Sequence, residues 1–139
     1  MTIRFAAVTE EPDEGWMGVS LADREHGDGW TLHLQCGWTE PDAQDVALGQ
    51  DTHCLADGHG RTCYGGVVAA QLDRNVLSLR LSCEAVDVLG LDSDTVEMVL
   101  DLPAPLIGQV RDGVSRVLAY GDPRKRPRSV ALSTVLRSD

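Results

Sequence analysis

Residues Gln50 to Leu72, QDTHCLADGHGRTCYGGVVAAQL, decide how the rest of the chain is read. Two β-prone runs flank Asp57-Gly58-His59-Gly60, a strong turn signal, so the segment predicts a hairpin. With Gly58 and His59 as a two-residue loop, the register sets Asp57 against Gly60, Ala56 against Arg61 and Cys54 against Cys63. Two thiols would then face each other across the ladder. Tyr64-Gly65-Gly66-Val67 follows at once. Adjacent glycines weaken a strand, because they offer no side chain to pack and lose more entropy on ordering. They therefore predict a bulge or a close approach by another group.

Working outward, the hairpin supplies the fourth and fifth strands, the latter running from Tyr64 to Leu72. Upstream, Ile3, Phe5 and Ala7 alternate with Arg4, Ala6 and Val8 as a half-buried first strand. Acidic residues with Pro12 and Gly15 mark a loop, Trp16 to Ala22 a second strand, and Asp23 to Gly29, with His26, a turn. Trp30 to Cys36 is a third strand, with Leu32, Leu34 and Cys36 on one face. Trp38 to Gly49 reads as a polar, exposed connection, a loop or a short helical turn.

Downstream, Asp73 to Asn75 is a turn. Leu77, Leu79, Leu81 and Cys83 alternate cleanly with polar residues. Glu84 to Gly90 predicts one or two helical turns, with Ser82 as N-cap and Gly90 as terminator. Thr95 to Leu102 is a seventh strand, with Val96, Met98 and Leu100 inward. Beyond Pro103 the period becomes helical: Leu106, Val110, Val114, Val117 and Leu118 form one stripe. Gly121 ends that helix, and Pro123 and Pro127 prevent its continuation. The expected fold is α+β and mostly β: about seven strands in a twisted antiparallel sheet or sandwich, with the C-terminal amphipathic helix packed on it. Residues 1–121 form one domain. Residues 122–139 form a basic tail in which SVALSTVL, from Ser129, could add an edge strand.

At 139 residues the chain can bury a core without disulfides or metal. Nothing approaches the ~18 unbroken apolar residues of a membrane span, and the N-terminal residues do not resemble a secretion signal. The expected compartment is the cytoplasm. The net charge is −10. The segment from Tyr120 onward, with Arg124, Lys125, Arg126, Arg128 and Arg137 against Asp122 and Asp139, contributes +3, which leaves −13 for the body. Such a body repels phosphate backbones and attracts basic proteins, which argues against direct nucleic-acid binding. The tail cations read as solvated.

No enzyme class emerges. There is no G-x-S-x-G elbow, and His26, His33, His53 and His59 lack a partner motif. The cysteine spacing contains no close pair of the zinc-knuckle kind. His53 and Cys54 are strand neighbours and point to opposite faces. Cys36 and Cys83 each continue an apolar stripe and read as buried free thiols. Asp42, Asp45 and Asp51 could cluster around Mg²⁺, although acids in a polar loop are ordinarily solvated. No cofactor is expected. A small-ligand or metal-binding domain using the Cys54/Cys63 hairpin and the Tyr64-Gly65-Gly66 bulge stays open as the alternative. What remains is a surface, with Trp16, Trp30 and Trp38 each serving as core caps or as anchors for a partner.

The ordered motifs carry a resemblance. They are the opening I-R-F strand, G-V-S-L-A at Gly18 to Ala22, L-H-L-Q at Leu32 to Gln35 and D-V-A-L-G-Q-D-T-H-C at Asp45 to Cys54. Y-G-G-V at Tyr64 to Val67, L-S-L-R-L-S at Leu77 to Ser82 and G-V-S-R-V-L-A-Y-G at Gly113 to Gly121 complete the set. The chain resembles the immunity protein 10 family of bacterial polymorphic toxin systems over residues 1 to about 121. The resemblance implies a non-enzymatic cytoplasmic antidote that binds and blocks a cognate toxin domain. It brings no catalytic residues. Independently of it, exposed hairpin edges could pair two copies, so a monomer or a homodimer is expected. The charge suits a basic toxin such as a nuclease, and the expected partner face is Trp16 and Trp38 with Glu40, Asp42, Asp45 and Asp51.

Overall fold

A computed structural model describes residues 1–25 and 29–132. His26 and the end of the tail, with Arg137, lie outside the described residues. Among the described residues, ten strands form two five-stranded sheets. Sheet A is ordered β1 (Thr2–Ile3), β9 (Thr95–Leu100), β8 (Val76–Leu81), β7 (Val67–Asp73), β10 (Ser129–Ala131). Sheet B is ordered β2 (Phe5–Glu11), β3 (Trp16–Ala22), β4 (Thr31–Gly37), β5 (Cys54–Asp57), β6 (Thr62–Tyr64). Sheet B is a pure antiparallel meander. In sheet A the two outer pairings, β1 with β9 and β10 with β7, are parallel, which corrects an all-antiparallel expectation. These contacts join distant segments, so no local pattern announces them.

The ten strands are the seven expected, two of them split, plus one in the tail. The first split falls at Arg4, where the chain passes from sheet A to sheet B. That passage breaks the alternation: Ile3 is fully buried, but Phe5 is 40% exposed, and Ala6 and Val8 pack on the core instead. The second split falls at Gly65-Gly66, both with left-handed φ (79° and 98°), where the chain crosses from β6 back into sheet A. The Gly65 amide donates to the His53 carbonyl (2.7 Å), and a side chain on Gly66 would press on Ala85 Cβ at 2.9 Å. The double glycine is thus a corner between the sheets.

The hairpin register is also one residue away from the expected one. Asp57 N donates to the Arg61 carbonyl (3.1 Å), which leaves a three-residue loop of Gly58, His59 and Gly60 with Gly60 at φ 82°. Cys54 accordingly pairs with Tyr64, and Leu55 with Cys63. Because side chains alternate every residue, this slip places the two thiols on opposite faces of the ladder. A type I turn closed by a left-handed glycine competes here with the two-residue turn. Asp57 selects it, since its Oδ1 accepts from His59 N (2.9 Å) and Arg61 N (3.0 Å) and its Oδ2 pairs with Arg61 Nε (2.6 Å).

The inward faces of both sheets share one core, in which Val19, Leu21, Leu34 and Leu55 of sheet B join Leu77, Leu79, Met98 and Leu100 of sheet A. Each such side chain contributes roughly 1.5–3 kcal/mol by leaving water. Helix α3 (Ala104–Leu118) lays Val110, Val114, Val117 and Leu118 onto β2, β3 and β4. Helix α2 (Cys83–Leu89) is capped by Ser82 and stopped by Gly90 in the left-handed conformation, as its sequence predicts, and packs on β6. Cys83 opens that helix and is exposed, not a buried continuation of the β8 stripe. Helix α1 (Ala43–Ala47) is held by a reciprocal cap between Asp42 and Asp45.

Candidate functional site

A cleft of about 250 Å³ opens at one end of sheet B, on the face turned away from the core. Trp16 of β3, Gln35 and Gly37 of β4, Cys54 of β5 and Tyr64 of β6 stand on adjacent strands and form its floor. Gln50 and Asp45, on and just after α1, form one wall, and Tyr120, beyond the end of α3, forms another. The Trp38 amide donates to the Gly15 carbonyl (2.9 Å), tying the β2–β3 turn to the segment that leads into α1. That bond brings Asp13 and Glu14 to the same end as Glu40, Asp42 and Asp45.

The electrostatics of the cleft follow from its acids. Tyr120 is pushed up to about 12, first by desolvation and then by the charges of Asp45, Cys36, Glu40 and Asp42. Tyr64 is raised by burial, by Cys54 and by Asp45. Both phenols therefore stay protonated, and both lie close to the Asp45 carboxylate. Burial, and next the nearby Cys63, raise the Cys54 thiol, so it is a weak nucleophile. Its neighbour His53 is fully buried on the other side, where Nε2 accepts from Val67 N (3.2 Å) and Nδ1 lies 3.3 Å from Thr52 Oγ1. That arrangement uses neutral imidazole, and desolvation lowers His53 to about 4. The two residues form no dyad.

The residues expected at a partner face separate. Trp16 and Asp45 line the cleft, and Glu40 and Asp42 are exposed beside it. Trp38 packs against the core, with the Arg116 guanidinium 4.3 Å from its ring centre. Trp30 also packs on the core. Asp51 departs furthest from expectation: it is 4% exposed, its carboxylate bonds Lys125 Nζ, and its carbonyl accepts from Asp122 N (2.9 Å). Lys125, expected to be solvated, thus anchors the start of the tail, while Arg124 pairs with Asp122 (2.9 Å). Of the hairpin residues, Cys54 and Tyr64 enter the cleft, Cys63 turns inward, Gly58 and Gly60 stay at the tip, and Gly65 and Gly66 form the corner.

Sequence reasoning missed Tyr120 and Gln35. Tyr120 lies beyond the last helix and reaches the cleft only because Gly37 has no side chain in its way, since a Cβ there would strike the Tyr120 hydroxyl. The metal alternative loses its ligands. Cys54 and Cys63 face apart, Asp51 is committed to Lys125, and among the described residues no three His, Cys, Asp or Glu converge as a metal site. Ser20 Oγ and His33 Nδ1 lie 2.8 Å apart on the open face, but among the described residues no carboxylate bonds that imidazole. No described helix is long and apolar enough to cross a membrane.

The two-sheet fold thus carries a cleft lined by an acid and aromatic side chains. The chain belongs to the immunity protein 10 family, whose model matches residues 2–108 and so ends inside α3. Membership in an immunity protein family points to a toxin-neutralising role. No curated protein and no solved structure matches the chain.

Proposed function

We propose that the protein is a non-enzymatic cytoplasmic antidote that binds a cognate basic toxin domain, such as a nuclease, through the acidic end of sheet B. The observation that carries this reading is the set of acids around the cleft. Glu40, Asp42 and Asp45 form no ion pair among the described residues, whereas Asp51, Asp57 and Asp122 are each matched to a cation. Unmatched carboxylates beside a half-buried tryptophan attract a basic surface and speed its arrival, because opposite fields steer encounter. Asp51 drops out of the face because it is buried.

The test is co-expression with a toxin domain encoded beside this gene. Rescue of the host and a purifiable complex are expected. In that complex, Glu40→Lys, which leaves the Asp42/Asp45 cap of α1 intact, slows association about threefold or more at low salt and leaves the melting temperature nearly unchanged. Failure to rescue, with no complex, would sink the antidote reading. An unchanged association rate would move the interface elsewhere.

A further inference from the structure

The cleft and the face that leads into it differ in chemistry, and the difference specifies what fits. By strand register, the outer face of sheet B carries Ala7, Ser20, Ala22, His33 and Ala56. From β2 to β6 it holds one carboxylate, Glu11, at the cleft end opposite Trp16, and no lysine or arginine. This sparsely charged floor ends in a pocket lined by the Trp16 indole, the Tyr64 and Tyr120 phenols, the Gln35 amide and the Asp45 carboxylate. Asp45 Oδ2 accepts from Asp42 N (3.0 Å), and Oδ1 forms no bond among the described residues. The lining thus supplies one carboxylate, neutral groups that both donate and accept, and an aromatic surface, and no described cation lines it. An aromatic wall beside a carboxylate is the setting in which a cationic side chain is held by charge, by hydrogen bonds and by the ring.

We infer that this cleft receives one lysine or arginine side chain of the partner, whose surrounding neutral surface lies on the outer face of sheet B. The inference rests on the antidote reading for the identity of the partner, but not for the chemistry of the pocket. It divides the acids by task. Asp42 and Glu40, exposed on the rim, act on arrival. Asp45, Trp16 and Tyr64, inside the cleft, act on residence, because a charge held in a partly desolvated pocket must break its bonds to leave.

Two measurements test it. In the first, isotope-labelled protein is titrated with Nα-acetyl-arginine methylamide and with its citrulline counterpart, which has the same shape and no charge. The expected result is a saturable shift of the Trp16 indole N–H signal with the arginine compound, lost in Asp45→Asn and absent with citrulline. No shift at Trp16, or equal shifts from both compounds, would overturn the inference.

In the second, rates are measured for the complex with the neighbouring toxin domain. Asp45→Asn, which keeps a cap acceptor, and Trp16→Ala raise the dissociation rate about tenfold or more. Asp42→Asn mainly slows association, and Glu97→Gln, on the far face of sheet A, changes neither rate. An unchanged dissociation rate in Asp45→Asn overturns the inference even where the complex itself is sound. A positive arginine titration without any toxin complex upholds the cleft and removes the antidote reading instead.

Discussion

Asp45 and Asp51 lie six residues apart in one acidic stretch, yet they belong to different regions of the molecule. Asp45 stands half-buried at the cleft, with only a helix-cap bond and no cation. Asp51 is buried where the tail folds back: its carboxylate meets Lys125, its carbonyl meets Asp122, and Gly121 passes directly over it. The same residue type is surplus charge in one place and a structural tie in the other. The contrast shows that an acid's role is set by whether the fold brings it a partner, since a carboxylate out of water must be matched and one at the surface need not be.

Substitutions at the Asp51 tie should therefore act on stability, and substitutions at the cleft on binding. The largest effect is expected at Gly121. Its φ is 84°, and a Cβ there would collide with the Asp51 carbonyl, so Gly121→Ala combines backbone strain with a clash and should cost roughly 3 kcal/mol or more. Denaturant unfolding measures it; a loss below about 1 kcal/mol would show that the tail is not held tightly on Asp51.

Next comes acid. In the unfolded chain His53 titrates near 6.5, and in the folded chain burial holds it at about 4. Above pH 6.5 it is neutral in both states. As pH falls from 6.5 toward 4 the unfolded state takes up a proton that the folded state refuses, so stability declines by an amount on the order of 3 kcal/mol, and this contribution levels off below pH 4. Unfolding curves at pH 7, 6, 5 and 4.5 should show the decline, and His53→Gln, although less stable throughout, should flatten it. A wild-type curve that is flat over that window would place a proton acceptor at His53 that the structure does not show.

Asp51→Asn is smaller again. Loss of a buried ion-pair partner usually costs several kcal/mol, but Lys125 is partly exposed and can rehydrate, so about 2 kcal/mol is expected. Asp45→Asn completes the comparison with a change within about 0.5 kcal/mol. If Asp51→Asn left stability unchanged while weakening the toxin complex, the separation of the two regions would be broken.

Much of the fold was legible because local periodicity reports burial. The alternation of Leu32, Leu34 and Cys36, that of Val96, Met98 and Leu100, and the α3 stripe all face the core as read. The caps of α2 were equally plain, since Ser82 and Gly90 act within one turn of the helix. The reading failed where the chain changes sheets. At Arg4 and at Gly65-Gly66 a strand of one sheet ends and a strand of the other begins, so a single alternation carried across the corner assigns Phe5 to the wrong side. It also failed in the hairpin, where Asp57 decides between two loop lengths through three short bonds that the pattern of strand residues does not contain. Of the residues that line the cleft, the sequence reading named Trp16 and Asp45 for a partner face and Cys54 and Tyr64 for a ligand- or metal-binding hairpin, and it named neither Tyr120 nor Gln35.

By itself, the sequence determined the α+β class, the caps of α2, the apolar stripe of α3, an irregularity at Gly65-Gly66 and the acidic charge of the body. These follow from spacing, composition and short-range sterics. The tertiary structure alone decided that strands split between two sheets, that the thiols of Cys54 and Cys63 face apart, and that Asp51 is spent on Lys125 while Asp45 meets no cation among the described residues. The sheet pairings and the Asp51–Lys125 tie depend on groups tens of residues apart arriving at the same few ångströms, and the thiols are turned by side-chain bonds of Asp57 that strand periodicity does not encode.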